Sequence, residues 1–427
     1  MALPPWTIEL LRRSVSDVAA KANPEAIDRI RNQATAILSD IPAAAARTVD
    51  SVMSATESRR ESVRRWTRTY TAKSREVVNA TGVLIDPPGN PSTSPGAIGC
   101  GIDADVLEAG LEFLDRSRVV GPGLSAWQDS VLQRIVSDND VQSASASSLA
   151  IAVLPSLSAA VSLIPAMTDL PVRLHRSQAM TLPGGGNVPD LITSLGFPVT
   201  EFGSISGWAD GDGDQTPAAT VFVGPTPTQR RLGEGLRVDV LPVVTVGDNE
   251  LGVPTIAGSF TAGADLVIAA IGGLIGGPDT AAVIGPVAAI ERLGSHRTAK
   301  LFRTTAADIA MTLAALSRDP ADVPGSAVSR ASISIENLQS RADRIATRLR
   351  GNRAPVQTDV RASTAHVAGV QYPIASCQIA VRIEGQTGQQ IAAMMQNDDP
   401  TVWVAHDEDS AIIDLRWVAP EQDASIR

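Results

Sequence analysis

The chain has 427 residues, 44% hydrophobic and 19% charged, with 34 glycines and 28 prolines. That length supports two or three domains with substantial cores and excludes a small disulfide scaffold or a disordered tail. The formal net charge of -10 argues against a surface that wraps nucleic acid over its whole extent, while leaving room for a local basic patch.

Cys100 and Cys377 are too few for a disulfide framework or a thiolate zinc site, so a reducing compartment is expected. The opening Met1-Ala-Leu-Pro-Pro-Trp6 lacks a basic segment followed by an apolar run; no secretory signal is expected, and the cytoplasm is the default. The uncharged stretch from Val141 to Met167 has the length of a membrane span, but Pro155, Pro165 and repeated serines fit a buried α/β core better, and no membrane association is expected. Of 36 basic residues only Lys21, Lys73 and Lys300 are lysines. Any chemistry needing a lysine amine has three candidates.

In chain order, residues 1–75 read as a helical N-terminal domain. Ile8, Leu10 and Leu11, then Ile27, Ile30, Ala34, Ile37 and Leu38, recur at helical spacing, and Asn23-Pro24 opens a new helix. The domain ends in a basic run with Arg59, Arg60, Arg64, Arg65 and Arg68, interrupted by Trp66 and Tyr70. Basic and aromatic residues together suit RNA; a solvated helix face leading into a linker explains the same run.

Residues 76–320 alternate short apolar runs with helical patterns. Strands are expected at Leu149–Leu154, Thr220–Val223, Leu241–Val246 and Leu266–Ala270, forming a mostly parallel sheet covered on both faces. A long charged helix near Ser334–Arg350 and alternating strands at Ile379–Ile383 and Ala411–Leu415 then make 321–427 a small α+β domain. The fold class is therefore α/β.

Isolated motifs are uninformative. Asp210-Gly-Asp-Gly-Asp214 imitates a calcium loop but has Gln215 and Val221 where glycine and glutamate belong. Gly184-Gly-Gly186 lacks dinucleotide spacing and reads as a loop. Ile271–Pro278 is either a hairpin connection or a place where backbone approaches a ligand. His175, His296, His366 and His406 are scattered, so no metal site is expected, and there is no nucleophile elbow.

Val77-Val-Asn-Ala-Thr-Gly-Val83 resembles the bacterial L-seryl-tRNA(Sec) selenium transferase family, pyridoxal-phosphate (PLP) enzymes of fold type I. The resemblance is collinear through Leu3–Leu11, Pro189–Ile192, Ala262–Val267, Leu274–Pro278, Arg292-Leu293, Thr312–Leu316, Asp399–Val402 and Asp414–Val418. It implies a fold-type-I PLP-transferase-like large domain, an N-terminal domain that holds tRNA and a homo-oligomer built from dimers. It also implies conversion of seryl-tRNA(Sec) to selenocysteinyl-tRNA(Sec) with selenophosphate.

PLP chemistry needs an amine for the internal Schiff base and a carboxylate at the pyridine nitrogen. By the resemblance, Gly273 stands at the lysine position and Val246 at the pyridine carboxylate, with Asp248 two residues further on. The family's phosphate-side and histidine segments are replaced by Pro155-Ser-Leu-Ser158 and Asp86-Pro-Pro88. Ser156, Ser158, Arg176, Gly276 and Gly277 remain as vestigial cofactor-binding candidates. Arg297, Lys300 and Arg303 are either a phosphate site or a solvated helical face, and Arg416 is open between an anion contact and an interdomain ion pair.

The expectation is thus a catalytically degenerate selenium-transferase-like protein without cofactor, retained as an RNA-binding, anion-binding or oligomeric interaction protein. The alternative is an active PLP-dependent selenium transferase using another lysine.

Overall fold

The computed structural model describes residues 77–85, 102, 104–116, 124–137, 148–183, 185–208, 216–224, 235–247, 251–319, 322–323, 325–352, 355–368, 371–398 and 400–427. All of them belong to one compact unit, Glu76–Arg427. The expected N-terminal helices and the basic run Arg59–Arg68 lie outside the described residues, as do Asp248, Asp86–Pro88 and Asp210–Asp214.

The strands are β1 (Val77–Ala80), β2 (Val83–Ile85), β3 (Leu149–Leu154), β4 (Val172–His175), β5 (Val199–Phe202), β6 (Ala218–Val223), β7 (Gly235–Leu241), β8 (Leu266–Ala270), β9 (Ala281–Pro286), β10 (Val356–Ala368), β11 (Gln371–Ile383), β12 (Thr401–His406) and β13 (Ala411–Asp414). The helices are α1 (Ala104–Arg116), α2 (Leu124–Ser137), α3 (Leu157–Ser162), α4 (Val188–Thr193), α5 (Ile256–Thr261), α6 (Val287–Ser295), α7 (Ala306–Leu316), α8 (Ala327–Ala331), α9 (Ile335–Asn352) and α10 (Gly388–Asn397).

The first sheet has the order β3-β9-β8-β7-β6-β4-β5. Its five strands from β8 to β5 run parallel, and β9 joins antiparallel to both β3 and β8. Strand β6 is buried at every residue, as a strand covered on both faces must be. One face packs Leu174, Val221, Val240 and Ile268 beneath α3 and α4; the other packs Val267, Ala269 and Ile284 against α2, α5 and α7.

Where Leu241–Val246 reads as a strand in the sequence, β7 instead occupies Gly235–Leu241. Pro242 has no N–H to donate and ends the ladder. The polar Arg237 and Asp239 masked the true strand; they pair with each other at 2.8 Å, almost fully buried.

The second sheet has the order β1-β12-β13-β11-β10-β2. Helices α9 and α10 cover it through Leu338, Ile345, Ile391 and Met395, and the Thr387–Gln390 capping box starts α10. Its two outer strands come from residues 77–85, which the sequence reading placed at the head of the large domain. The Asn79–Gly82 turn between them crosses the end of β13: Asn79 Nδ2 donates to the Val83 carbonyl at 2.9 Å. A Cβ on Gly82 would lie 3.1 Å from Asp414 Cγ, at a φ of +82°. No helix among the described residues is long and apolar enough to cross a membrane.

Candidate functional site

In parallel α/β sheets, ligands bind beyond the carboxyl ends of the strands. Here that edge is made by the loops after β3, β4, β7 and β8, which carry the candidate residues Ser156, Ser158, Arg176, Gly276 and Gly277.

After β8 the chain forms a single 3-10 turn, Gly273–Ile275, capped by Gly276 in the left-handed region. Gly273 itself has a φ of +74°, and a Cβ there would lie 2.6 Å from Ile85 Cδ1. The end of the Ile85 side chain, on the last residue of β2, lies in that direction. Next to it Leu274 is buried in a cluster with Leu84, Val243, Val367 and Trp417, with Ile85 packed against it. This apolar seam joins the loops of the first sheet to the second, each fully buried aliphatic side chain contributing about 1.5–3 kcal/mol.

The rest of the turn is held by packing and hydrogen bonds. A Cβ on Gly277 would meet Ile271 Cγ2 at 2.4 Å and Ala315 Cβ at 3.0 Å, so this glycine lets the turn lie against α7. Thr280 and Thr312 share a buried hydroxyl contact at 2.8 Å. Arg318 donates to the Ile275 carbonyl at 3.2 Å and to both carboxylate oxygens of Asp105 at 2.7 and 2.8 Å. Neither Ile85 nor Arg318 carries a local sequence signal, because each acts from more than 40 residues away in the chain.

At the position that the resemblance gives to the pyridine carboxylate, Val246 is buried among Leu241, Val244, Ile256 and Ile271. Thr245 is buried beside it, its amide donating to the Pro254 carbonyl at 3.1 Å. Asp239, the buried carboxylate on β7, holds its proton above the usual carboxylate range because burial outweighs its bonds from Arg237. It is committed to that arginine at 2.8 and 3.0 Å.

Of the remaining candidates, Ser156, Ser158, Arg176 and Arg416 are engaged elsewhere. Ser156 caps α3, its hydroxyl accepting from the Ala159 amide at 3.1 Å, and Ser158 donates to the Gly185 carbonyl at 3.1 Å. Arg176 donates to the Gly203 carbonyl at 2.9 Å and stands 3.8 Å from Glu201, on the β5 side of the sheet. Arg416 is buried and donates from Nη1 to the carbonyls of Ala331 and Ile333 at 3.1 and 2.7 Å, with a further bond to Ala375. It closes the C-terminus of α8. Arg297, Lys300 and Arg303 are exposed around the 3-10 turn Ala299–Leu301, with no acidic partner among the described residues.

These residues do not fit PLP held in the manner of fold type I. The position that the resemblance gives to the lysine has no amine, and a side chain there would meet the end of Ile85 from a left-handed backbone; the position that it gives to the carboxylate holds a buried valine. No potential metal cluster occurs among the described residues.

A model of the L-seryl-tRNA selenium transferase family matches residues 226–419, a stretch that includes β7, the glycine turn and the second sheet from β10 onward. Among solved structures the chain is similar to D-glucosaminate-6-phosphate ammonia-lyase, at 14% identity and a TM-score of 0.54 over 84% of this chain and 95% of that one. It also aligns with an alanine–glyoxylate aminotransferase from Nostoc sp. at 15% identity and a TM-score of 0.41, over 83% of this chain and 96% of that one. No curated protein matches it. The expected α/β architecture is borne out, in a fold shared with the ammonia-lyase.

Proposed function

We infer that this selenium-transferase-like chain, with the fold of its PLP-dependent relatives, has lost their reaction and is retained as a binding and assembly protein. The observation that carries this reading is the left-handed Gly273 whose Cβ direction is filled by Ile85. Val246, sunk in an aliphatic cluster, supports it, since an apolar wall offers nothing to a protonated ring nitrogen.

A core can outlive its chemistry because packing does not depend on the cofactor amine. What such a protein keeps is its surface: the exposed cations Arg297, Lys300 and Arg303 suit a phosphate-type anion, and the arginines from Arg59 to Arg68 suit tRNA. Homo-oligomerisation, built from dimers, belongs to the same reading.

Absorbance of the purified full chain with added PLP, before and after borohydride, tests it. No retained chromophore and no borohydride-fixed adduct are expected. A reducible adduct mapped to Lys300, Lys21 or Lys73 overturns the reading in favour of an active PLP-dependent transferase.

A further inference from the structure

Strand β10 pairs along its whole length with β11, but on its other side β2 reaches only His366 and Ala368. Among the described residues, Val356 to Thr364 therefore form an open sheet edge. Such edges are templates for another strand, and proteins usually shorten, twist or cover them.

The direction of the backbone groups along this edge follows from two hydrogen bonds. The His366 amide donates to the Gly82 carbonyl at 2.8 Å, outside the β10–β11 ladder. The Cys377 carbonyl, opposite Ala362, is taken by the Leu415 amide at 3.1 Å on the far side of β11. Backbone groups alternate sides along a strand. Both bonds therefore assign the same parity: Val356, Thr358, Val360, Ala362 and Thr364 point their N–H and C=O outward.

The side chains between them carry one charge of each sign. Asp359 and Arg361 are exposed, and neither forms an ion pair among the described residues. If a second β10 lies antiparallel against the first with the twofold axis at Val360, every outward-pointing residue meets another: Val356 with Thr364, Thr358 with Ala362, Val360 with itself. In the same register Asp359 faces the partner's Arg361, and Arg361 faces the partner's Asp359. These fall in the non-hydrogen-bonded positions, where opposing side chains come closest. An axis at Thr358 or Ala362 loses both charge pairs and leaves part of the edge unpaired.

We propose that the β10 edge, from Val356 to Thr364, binds a second copy of this chain, joining two six-stranded sheets through an antiparallel pair centred on Val360. Arg361 also donates to the Gln378 amide oxygen on β11, but the two charges that deter unrelated strands have no ion-pair partner among the described residues and are self-complementary in this one register, which is how an edge is made selective. The proposal is independent of the cofactor question, and of any further contact that builds a larger oligomer.

Charge reversal tests it in the full chain, with circular dichroism to confirm folding. Asp359→Arg alone and Arg361→Asp alone each set like charges opposite one another across the axis. Each is expected to halve the mass measured by sedimentation equilibrium. An equimolar mixture of the two variants restores both pairs and is expected to recover the wild-type mass, as is the double exchange Asp359→Arg/Arg361→Asp. Val360→Pro, which removes the N–H at the axis, is expected to halve the mass with no rescue by mixing. A monomeric wild type, single variants that keep the wild-type mass, or a mixture that fails to recover it overturns the proposal.

Discussion

Ile85 Cδ1 stands where the first carbon of a side chain on Gly273 would have to go, 2.6 Å from that position. The two residues are joined only by the fold, since Ile85 ends a strand of the second sheet and Gly273 opens a turn beyond the first. Gly273→Ala is expected to lower stability by at least the cost of a left-handed non-glycine residue, about 1–2 kcal/mol. In an Ile85→Val background, which removes the obstructing methyl, only the contact part of that loss should be recovered. Urea midpoints of the four chains measure both parts; an alanine variant as stable as the wild type would contradict the geometry.

Arg416 carries a structural load at the end of α8. Removing its guanidinium strands the carbonyls at the end of α8 in a dry interface, so Arg416→Met should cost about 3 kcal/mol or more. Arg416→Lys keeps the charge but not the fork of donors, and should recover only part of that loss. Chemical denaturation decides the matter, and a neutral Arg416→Met would return this residue to the candidate anion contacts.

Two carboxylates, Asp414 on β13 and Asp407 in the turn before it, should bend stability with pH in opposite directions. Burial holds the Asp414 proton above the usual carboxylate range, against bonds from Ser376, the Arg416 amide and Ser363. Its folded pKa is raised, so its stabilising contribution is complete below the unfolded value and is lost as pH rises through the folded one. The Ser410 hydroxyl holds Asp407 below its ordinary value, aided by the Ser410 and Asp409 amides; its contribution is present above the unfolded value and is lost as pH falls through the folded one. Stability measured against Asp414→Asn should therefore fall with rising pH, and against Asp407→Asn should rise. Difference curves of the same slope would refute the assignment.

Cys377 is fully buried, and desolvation, followed by the negative charges of Asp414 and Asp343, pushes its thiol up to about 11. The thiolate is the reactive form. In a Cys100→Ser background, a disulfide reagent at neutral pH should label Cys377 only after denaturant is added. Stoichiometric labelling of the native chain would show that this interior opens.

The fold class was legible wherever the sheet produced uninterrupted apolar runs. Leu149–Leu154 and Leu266–Ala270 lie in the structure where the sequence places them. Strand β7 was displaced because a paired Arg237 and Asp239 satisfy each other inside a sheet, a compensation that hydropathy does not register. The family resemblance marked Gly273 and Val246 as missing chemistry, and residues 226–419 match the corresponding family.

By itself the sequence determined which residue types are present: an absent amine at one position, an apolar side chain at another, alternating patterns that specify strands and helices. The tertiary structure alone decided what filled the vacated direction and what became of the surviving polar groups. Ile85 reaches Gly273, Arg416 turns to the end of a helix, Ser158 ties a loop, and Val83 pairs with His366 across the second sheet. The physical reason is that periodicity and propensity act over a few neighbouring residues, whereas steric exclusion and hydrogen-bond satisfaction depend on which distant segments packing brings together.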